Sequence, residues 1–337
     1  MREARPMHPQ PDPATLGEIV TRSQAIAAGM TVGQVNRRLR SGAWVSLRAG
    51  VYLLPHRGEQ PADRFEAERR RHRQHAVAAV LRHPHGTIAG RLAALVHGMP
   101  LTSGVPSMVE IVVPHGHWTG RRAGVAVRSV VLEPSDHAWI PMGQALRGLP
   151  ENQVDDAGAD VARLHVPAMT PARTWVDIAC RDEQAQALSA GDRALRNGQM
   201  GVAEVESILA RMAGSRGCRR AAAVLPHLDG RRENALESLS FGRFLEWRLP
   251  LPVLQHEFSD AAGFIGRVDF YWPAFALVGE ADGRLKYTSP EVLYAEKRRQ
   301  ERLEGLGLRV VRWGWSDVLT ASPQLQSQLR ASLCEAA

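Results

Sequence analysis

Lysine is almost missing from this 337-residue chain: of its 42 basic residues only Lys286 and Lys297 are lysine, the other 40 being arginine. Such a bias reflects a GC-rich genome more than chemistry, yet both lysines fall near the C-terminus, where a compact ammonium differs from a guanidinium fork. Cysteine is scarce too. Cys180, Cys218 and Cys334 show no paired spacing, which excludes a disulfide framework and a cysteine-based zinc site and fits a reducing compartment. No apolar run approaches membrane-spanning length. The Pro-rich start MREARPMHPQPDP lacks the apolar centre of a signal peptide, so residues 1–13 are expected to be a disordered leader on a cytoplasmic protein with no membrane partner. Glycine-rich phosphate loops of the Walker or dinucleotide type are absent, which removes nucleotide hydrolysis.

What is present is a positive excess. A formal charge of +7 and a pI near 10.0 make a polyanion the leading partner class, and DNA the foremost member. Arginines cluster at 37–40, 69–73, 121–122, 219–220 and 231–232, although a single cluster is most simply a solvated helix face. The length predicts an α+β multidomain protein with separate cores.

Residues 14–60 read as a winged helix-turn-helix. Thr21-Arg22-Ser23-Gln24 and Thr31-Val32-Gly33-Gln34 each have the Thr-x-x-Gln form of a capping box, separated by Gly29, and so mark two short successive helices. Gln34, Arg37, Arg38 and Arg40 on the second helix are the expected DNA contacts. Ala43 to Leu54 then gives two strands broken at Ala49-Gly50, a wing from which Arg48 would reach a phosphate. The phasing of these helices and the run SGAWVSLRAGVYLL at 41–54 resemble the N-terminal domain of AbiEi-type antitoxins, the DNA-binding partners of type IV toxin–antitoxin systems. That resemblance implies promoter binding and a toxin protein as a possible partner.

Residues 61–230 read as a mixed α/β middle region: a basic helix at 65–81, a helix at 90–97, strands at 108–113 and 125–132, and helices from Pro171, Glu183 and Gly201. The segment MTPARTWVDIAC at 169–180 resembles a recurrent piece of the same antitoxin-like family. Arg173 and Asp177, four apart on a helix, are expected to form a surface or interface ion pair. His83, His85, His115 and His117 invite a metal reading, but without nearby Cys or clustered acids they are expected to be loop or surface histidines.

Residues 231–337 predict the order α-β-β-β-α-β, with a hairpin in RVDFYWPAFALVGEADGRLKY (267–287) that gathers acidic side chains. With a period of two, Arg267, Asp269 and Tyr271 share one face of the first strand, and Ala276, Val278, Glu280 and Asp282 one face of the second. Carboxylates on otherwise apolar strands are costly to bury together unless a cation neutralises them, so a divalent metal is expected.

The order, with Glu237 on the preceding helix, resembles the PD-(D/E)XK restriction-endonuclease-like fold, and more closely a family related to very-short-patch-repair endonucleases. LESLSF around Glu237, LPLPVLQ at 249–255, GRVDFYWP at 266–273, VGEADG at 278–283 and RVVRW at 309–313 carry the resemblance. It implies an enzyme that hydrolyses DNA phosphodiester bonds with Mg²⁺ or Mn²⁺ held by Glu237, Asp269 and Glu280. Asp282 stands where the family motif has lysine, and Lys286 is expected to supply that charge, with Tyr287 near substrate. The alternative is an antitoxin-like transcriptional repressor whose nuclease-fold domain is inactive.

Overall fold

The computed structural model describes residues 19–55, 64–102, 104, 106–141, 165–282 and 290–334. The leader at 1–13, Lys286 and Tyr287 lie outside them. Among the described residues the chain is α+β, with twelve α-helices and three sheets. It divides into two compact units, Met1–His97 with Val105–Thr170, and Gly98–Gly104 with Pro171–Ala337.

Unit 1 starts with β1 (Ile19–Thr21), α1 (Arg22–Ala27), α2 (Val32–Arg40), β2 (Val45–Arg48) and β3 (Val51–Leu53). Both capping boxes form as the sequence predicts. The Thr21 hydroxyl accepts from Gln24 N and the Gln24 side chain from Thr21 N, with the same exchange between Thr31 and Gln34. The three strands make an antiparallel sheet ordered β1-β3-β2, and Val20, Ala25, Met30, Val35, Trp44 and Tyr52 fill the core beneath it.

The rest of unit 1 is α3 (Arg64–Arg82), β4 (Thr87–Ile88), α4 (Gly90–Val96), β5 (Val109–Val113), β6 (Gly120–Arg122), β7 (Val125–Ser129), β8 (His137–Pro141) and β9 (His165–Met169). These strands form a mixed sheet ordered β6-β7-β5-β4-β9-β8. α3 packs on both sheets, which is why the consecutive residues Ala76, Val77, Ala78 and Ala79 are all buried although they face every direction around the helix. The predicted strands at 108–113 and 125–132 appear as β5 and β7. The sequence reading lacked β4, β6, β8 and β9, of which β4 and β6 are too short to show a period.

Unit 2 contains α5 (Pro171–Arg181), α6 (Gln184–Arg196), α7 (Val202–Arg211), α8 (Cys218–Val224), α9 (Ala235–Glu246), β10 (Val253–Asp260), β11 (Gly263–Trp272), β12 (Leu277–Ala281), α10 (Pro290–Gly305), β13 (Arg309–Trp313), α11 (Trp315–Leu319) and α12 (Pro323–Cys334). The predicted α-β-β-β-α-β order is present from α9 to β13. Its sheet runs β10-β11-β12-β13, antiparallel except for the parallel pair β12 and β13. Phe244 of α9 meets Phe270, Trp272 and Trp313 edge-on, whereas Leu303 of α10 packs with Val268 and Val278.

The boundary between the two units falls at Thr170, inside the span 61–230, with residues 98–104 belonging to unit 2. α6 lies along α9 so tightly that a Cβ on Gly242 would stand 2.9 Å from Ala185 Cα. Arg173 and Asp177, expected as a surface or interface ion pair, are 2% and 5% exposed and so lie away from the solvent surface, and Asp177 also bonds Arg181 at 3.2 Å. Cys180 and Cys218, far apart in sequence, lie side by side as buried free thiols with sulfurs 3.9 Å apart.

Candidate functional site

Asn234 sets the site's first wall. Its side-chain oxygen caps α9 by accepting from Leu236 N and Glu237 N, and its amide donates to Glu237 Oε1. Glu237, 2% exposed, accepts at Oε2 from Glu233 N (2.8 Å) and from Gln255 Nε2 (2.9 Å). Three donors and the N-terminal end of α9 favour its charged form. Burial, followed by the charge of Asp269, outweighs them and pushes the Glu237 carboxyl up to about 7.

Gln255 lies within β10 with φ of +55°, a left-handed conformation that a non-glycine residue holds at a cost of about 1 kcal/mol or more. From there its side chain donates to Glu237 and lies close enough to Asp269 to favour its charged form. Residues that pair directly across β11 and β12 are Phe270 with Gly279, Tyr271 with Val278 and Trp272 with Leu277. One step further, the Asp269 carboxylate instead of a backbone carbonyl accepts from Ala281 N at 2.9 Å. The Asp269 carboxyl is pushed up to about 6, first by burial and then by Glu280 and Asp282.

Glu280, 5% exposed, is differently placed. Its Oε1 meets Arg299 Nη1 at 2.6 Å and its Oε2 meets Arg312 Nε at 2.8 Å. The parallel register sets Arg312 directly beside Glu280, and α10 delivers Arg299. Arg312 also reaches Glu296 (2.6 Å), Gln300 (2.6 Å) and Asp282 (3.5 Å). The Asp282 carboxyl is raised, by burial first and then by Glu280.

Of the expected acids, then, Glu237 and Asp269 are joined through Gln255, while Glu280 and Asp282 sit in an arginine network that Asp269 feels electrostatically. Among the described residues no three His, Cys, Asp or Glu side chains are grouped as a metal cage. Both Glu280 oxygens are turned to guanidinium groups. Among the described residues, positive charge next to the acids comes from Arg299 and Arg312; Lys286, expected to supply it, lies outside them. Sequence reasoning missed Gln255, Arg299 and Arg312 as site residues, though LPLPVLQ, RVVRW and the basic face of α10 contain them. A pair of buried carboxyls titrating near neutrality can hold a proton or, being an all-oxygen donor set, a hard divalent cation.

In unit 1, Arg37 and Arg40 of α2 are exposed, and Arg38 lies over the Trp44 ring at 5.7 Å. Gln34 spends its side-chain oxygen on the Thr31 cap at 2.7 Å. Arg48 is half-buried, donating to Ala123 O at 2.6 Å, so it turns toward the larger sheet instead of projecting from a wing. His83, His85, His115 and His117 lie in loops, as expected, and the last three are exposed; the rings of His85 and His117 are 4.4 Å apart, and His83 lies nearly parallel to Trp118 at 6.4 Å.

No protein-family model matches the chain. Two uncharacterised proteins of Mycobacterium tuberculosis, from strains CDC 1551 and H37Rv, are each 35% identical to it over 144 residues, 43% of this chain and 53% of theirs. The chain thus spans about half the length of the curated relatives it matches. Among solved structures, the RV2827C protein of Mycobacterium tuberculosis is 16% identical, with 72% of this chain and 84% of that chain covered and a TM-score of 0.38.

Proposed function

We propose that this chain is a DNA-binding protein whose C-terminal unit is a Mg²⁺-dependent endonuclease of the PD-(D/E)XK kind, with a winged helix at its N-terminus engaging the duplex. The observation that carries the reading is the convergence of Glu237 and Asp269 on Gln255, two buried carboxyls whose proton affinities are raised by burial and neighbouring charge. A bound divalent cation would relieve that charge; Asp269 and Glu237 would hold it, and Glu280 would join them on releasing one of its two arginines. When bound, such an ion polarises a phosphodiester and lowers the pKa of a water. The protein's own part is positional: Gln255 and Ala281 N orient the Asp269 oxygens, and Arg299 and Arg312 provide positive charge where the family motif has lysine.

Purified protein incubated with supercoiled and single-stranded DNA in Mg²⁺ or Mn²⁺ is expected to cleave, and EDTA to abolish cleavage. Asp269→Asn should lower the rate about 100-fold or more, the scale on which one electrostatic group in an active site acts. Metal-independent cleavage, or cleavage untouched by Asp269→Asn and Glu280→Ala, would retire the nuclease reading.

One observation favours a second reading. Glu280 is neutralised by two arginines, an arrangement that needs no metal, which suits an antitoxin-like repressor with a silent nuclease fold. In that case gel shifts on the protein's own promoter are metal-independent. Under either reading, Arg37→Ala with Arg40→Ala should weaken DNA binding and lower its salt slope by about two, one per lost phosphate contact. An unchanged slope removes α2 from the interface.

A further inference from the structure

Unit 1 holds a cavity of about 650 Å³ between the β2–β3 turn, the end of α3 and the β5–β6 connection, a volume usual for small-ligand sites. Three arginines line it, Arg48, Arg82 and Arg122, together with His83, His117 and Trp118, and no carboxylate belongs to the lining. One of the three charges is built in rather than merely solvated. Arg48 is half-buried, anchored through Nη1 to Ala123 O, and its Nε is buried without a hydrogen-bond partner among the described residues. His83 is held below its ordinary value by burial and then by Arg48 and Arg82. The ionic causes that act on it are all cations. A cavity of this kind is electrostatically complete only with an anion in it.

Two features narrow the anion. Guanidinium forks match the geometry of phosphate oxygens, and Trp118 leaves 54% of its surface open with its ring already parallel to His83. A flat base stacks on such a surface whatever its identity, because every base has a π-face. We propose that this cavity binds a nucleoside phosphate, the phosphate on Arg48, Arg82 and Arg122 and the base against Trp118. The source is either a free nucleotide or one unit of a nucleic-acid strand. Its lining includes neither the carboxylates of unit 2 nor the α2 arginines.

The test titrates the full chain, by calorimetry, with a 5′-mononucleotide, with inorganic phosphate and with a short single-stranded oligothymidylate. Saturable binding of the mononucleotide, weakened about tenfold or more in both Arg122→Gln and Arg48→Gln, supports the site with free nucleotide as the source. The same pattern with the oligonucleotide alone supports it with a strand as the source. Arg122 lies on an exposed strand, so Arg122→Gln retains the fold and stands if Arg48→Gln does not. Trp118→Leu should reduce nucleotide affinity toward that of phosphate. The proposal is overturned if neither ligand binds, if Arg122→Gln leaves binding unchanged, or if phosphate binds the wild-type chain as tightly as nucleotide. Oligonucleotide binding that is lost in the Arg37→Ala, Arg40→Ala variant but intact in Arg122→Gln would also overturn it, by assigning the contact to α2.

Discussion

Arg232 and Asp192 form a bidentate pair, each side chain 1% exposed, with nitrogen to oxygen distances of 2.5 and 2.7 Å. The guanidinium also donates to His227 O and lies 4.2 Å over the Phe241 ring. Removing one partner leaves a buried charge uncompensated, so Arg232→Met is expected to cost about 3–5 kcal/mol in urea unfolding, and Arg232→Met with Asp192→Leu to recover most of it. A single substitution costing less than about 1 kcal/mol would show that water reaches the pair. In the sequence Arg231-Arg232 is indistinguishable from a solvated cluster, and Arg231 is one, its side chain 64% exposed beside Asp229. The difference between the neighbours is set by Asp192, forty positions away, which no local pattern reports. The same holds for Glu280 and Arg312. Each was visible as a residue, but their pairing depends on a parallel register made by a crossover through α10.

The elements themselves were the most legible level, because their signals are local. Thr-x-x-Gln marked α1 and α2 since the capping box closes within four residues. Thr31→Ala should therefore cost about 1 kcal/mol, seen as a lowered unfolding midpoint of unit 1 with no loss of the unit 2 core signal. Gly279 in β12 was not legible as anything more than a strand glycine. In the structure its missing side chain makes room for aromatics: a Cβ there would lie 2.6 Å from Trp313 and 2.9 Å from Trp272. Those rings, with Phe244 and Phe270, are the packing that fixes β12 and hence Glu280 beside it. Gly279→Ala is expected to destabilise by about 1–3 kcal/mol and to change the near-ultraviolet dichroism of the tryptophans. An unaltered spectrum with unchanged stability would mean the sheet can shift to admit a methyl group.

For the molecule as a whole, the raised carboxyls make stability depend on pH in an unusual direction. Glu237 has an ordinary value near 4.5 and is raised to about 7, and Asp269 goes from 3.8 to about 6. Between roughly pH 4 and 7 the folded chain then binds more protons than the unfolded one, so stability falls as pH rises through that window and levels above it. At about 1.4 kcal/mol per tenfold change in proton affinity, Glu237 alone accounts for a decline on the order of 3 kcal/mol. Glu237→Gln is the informative variant. Its amide cannot accept from all three of the donors that Glu237 serves, which lowers stability equally at every pH; what distinguishes the titration is the slope, which should flatten. Denaturant midpoints measured from pH 4 to 8, with and without Mg²⁺, separate the possibilities. If a cation occupies the pair, Mg²⁺ should restore stability above pH 7 in the wild type and much less in Glu237→Gln. A decline of equal steepness in both proteins would place the proton elsewhere and remove the electrostatic basis for assigning chemistry to Glu237 and Asp269.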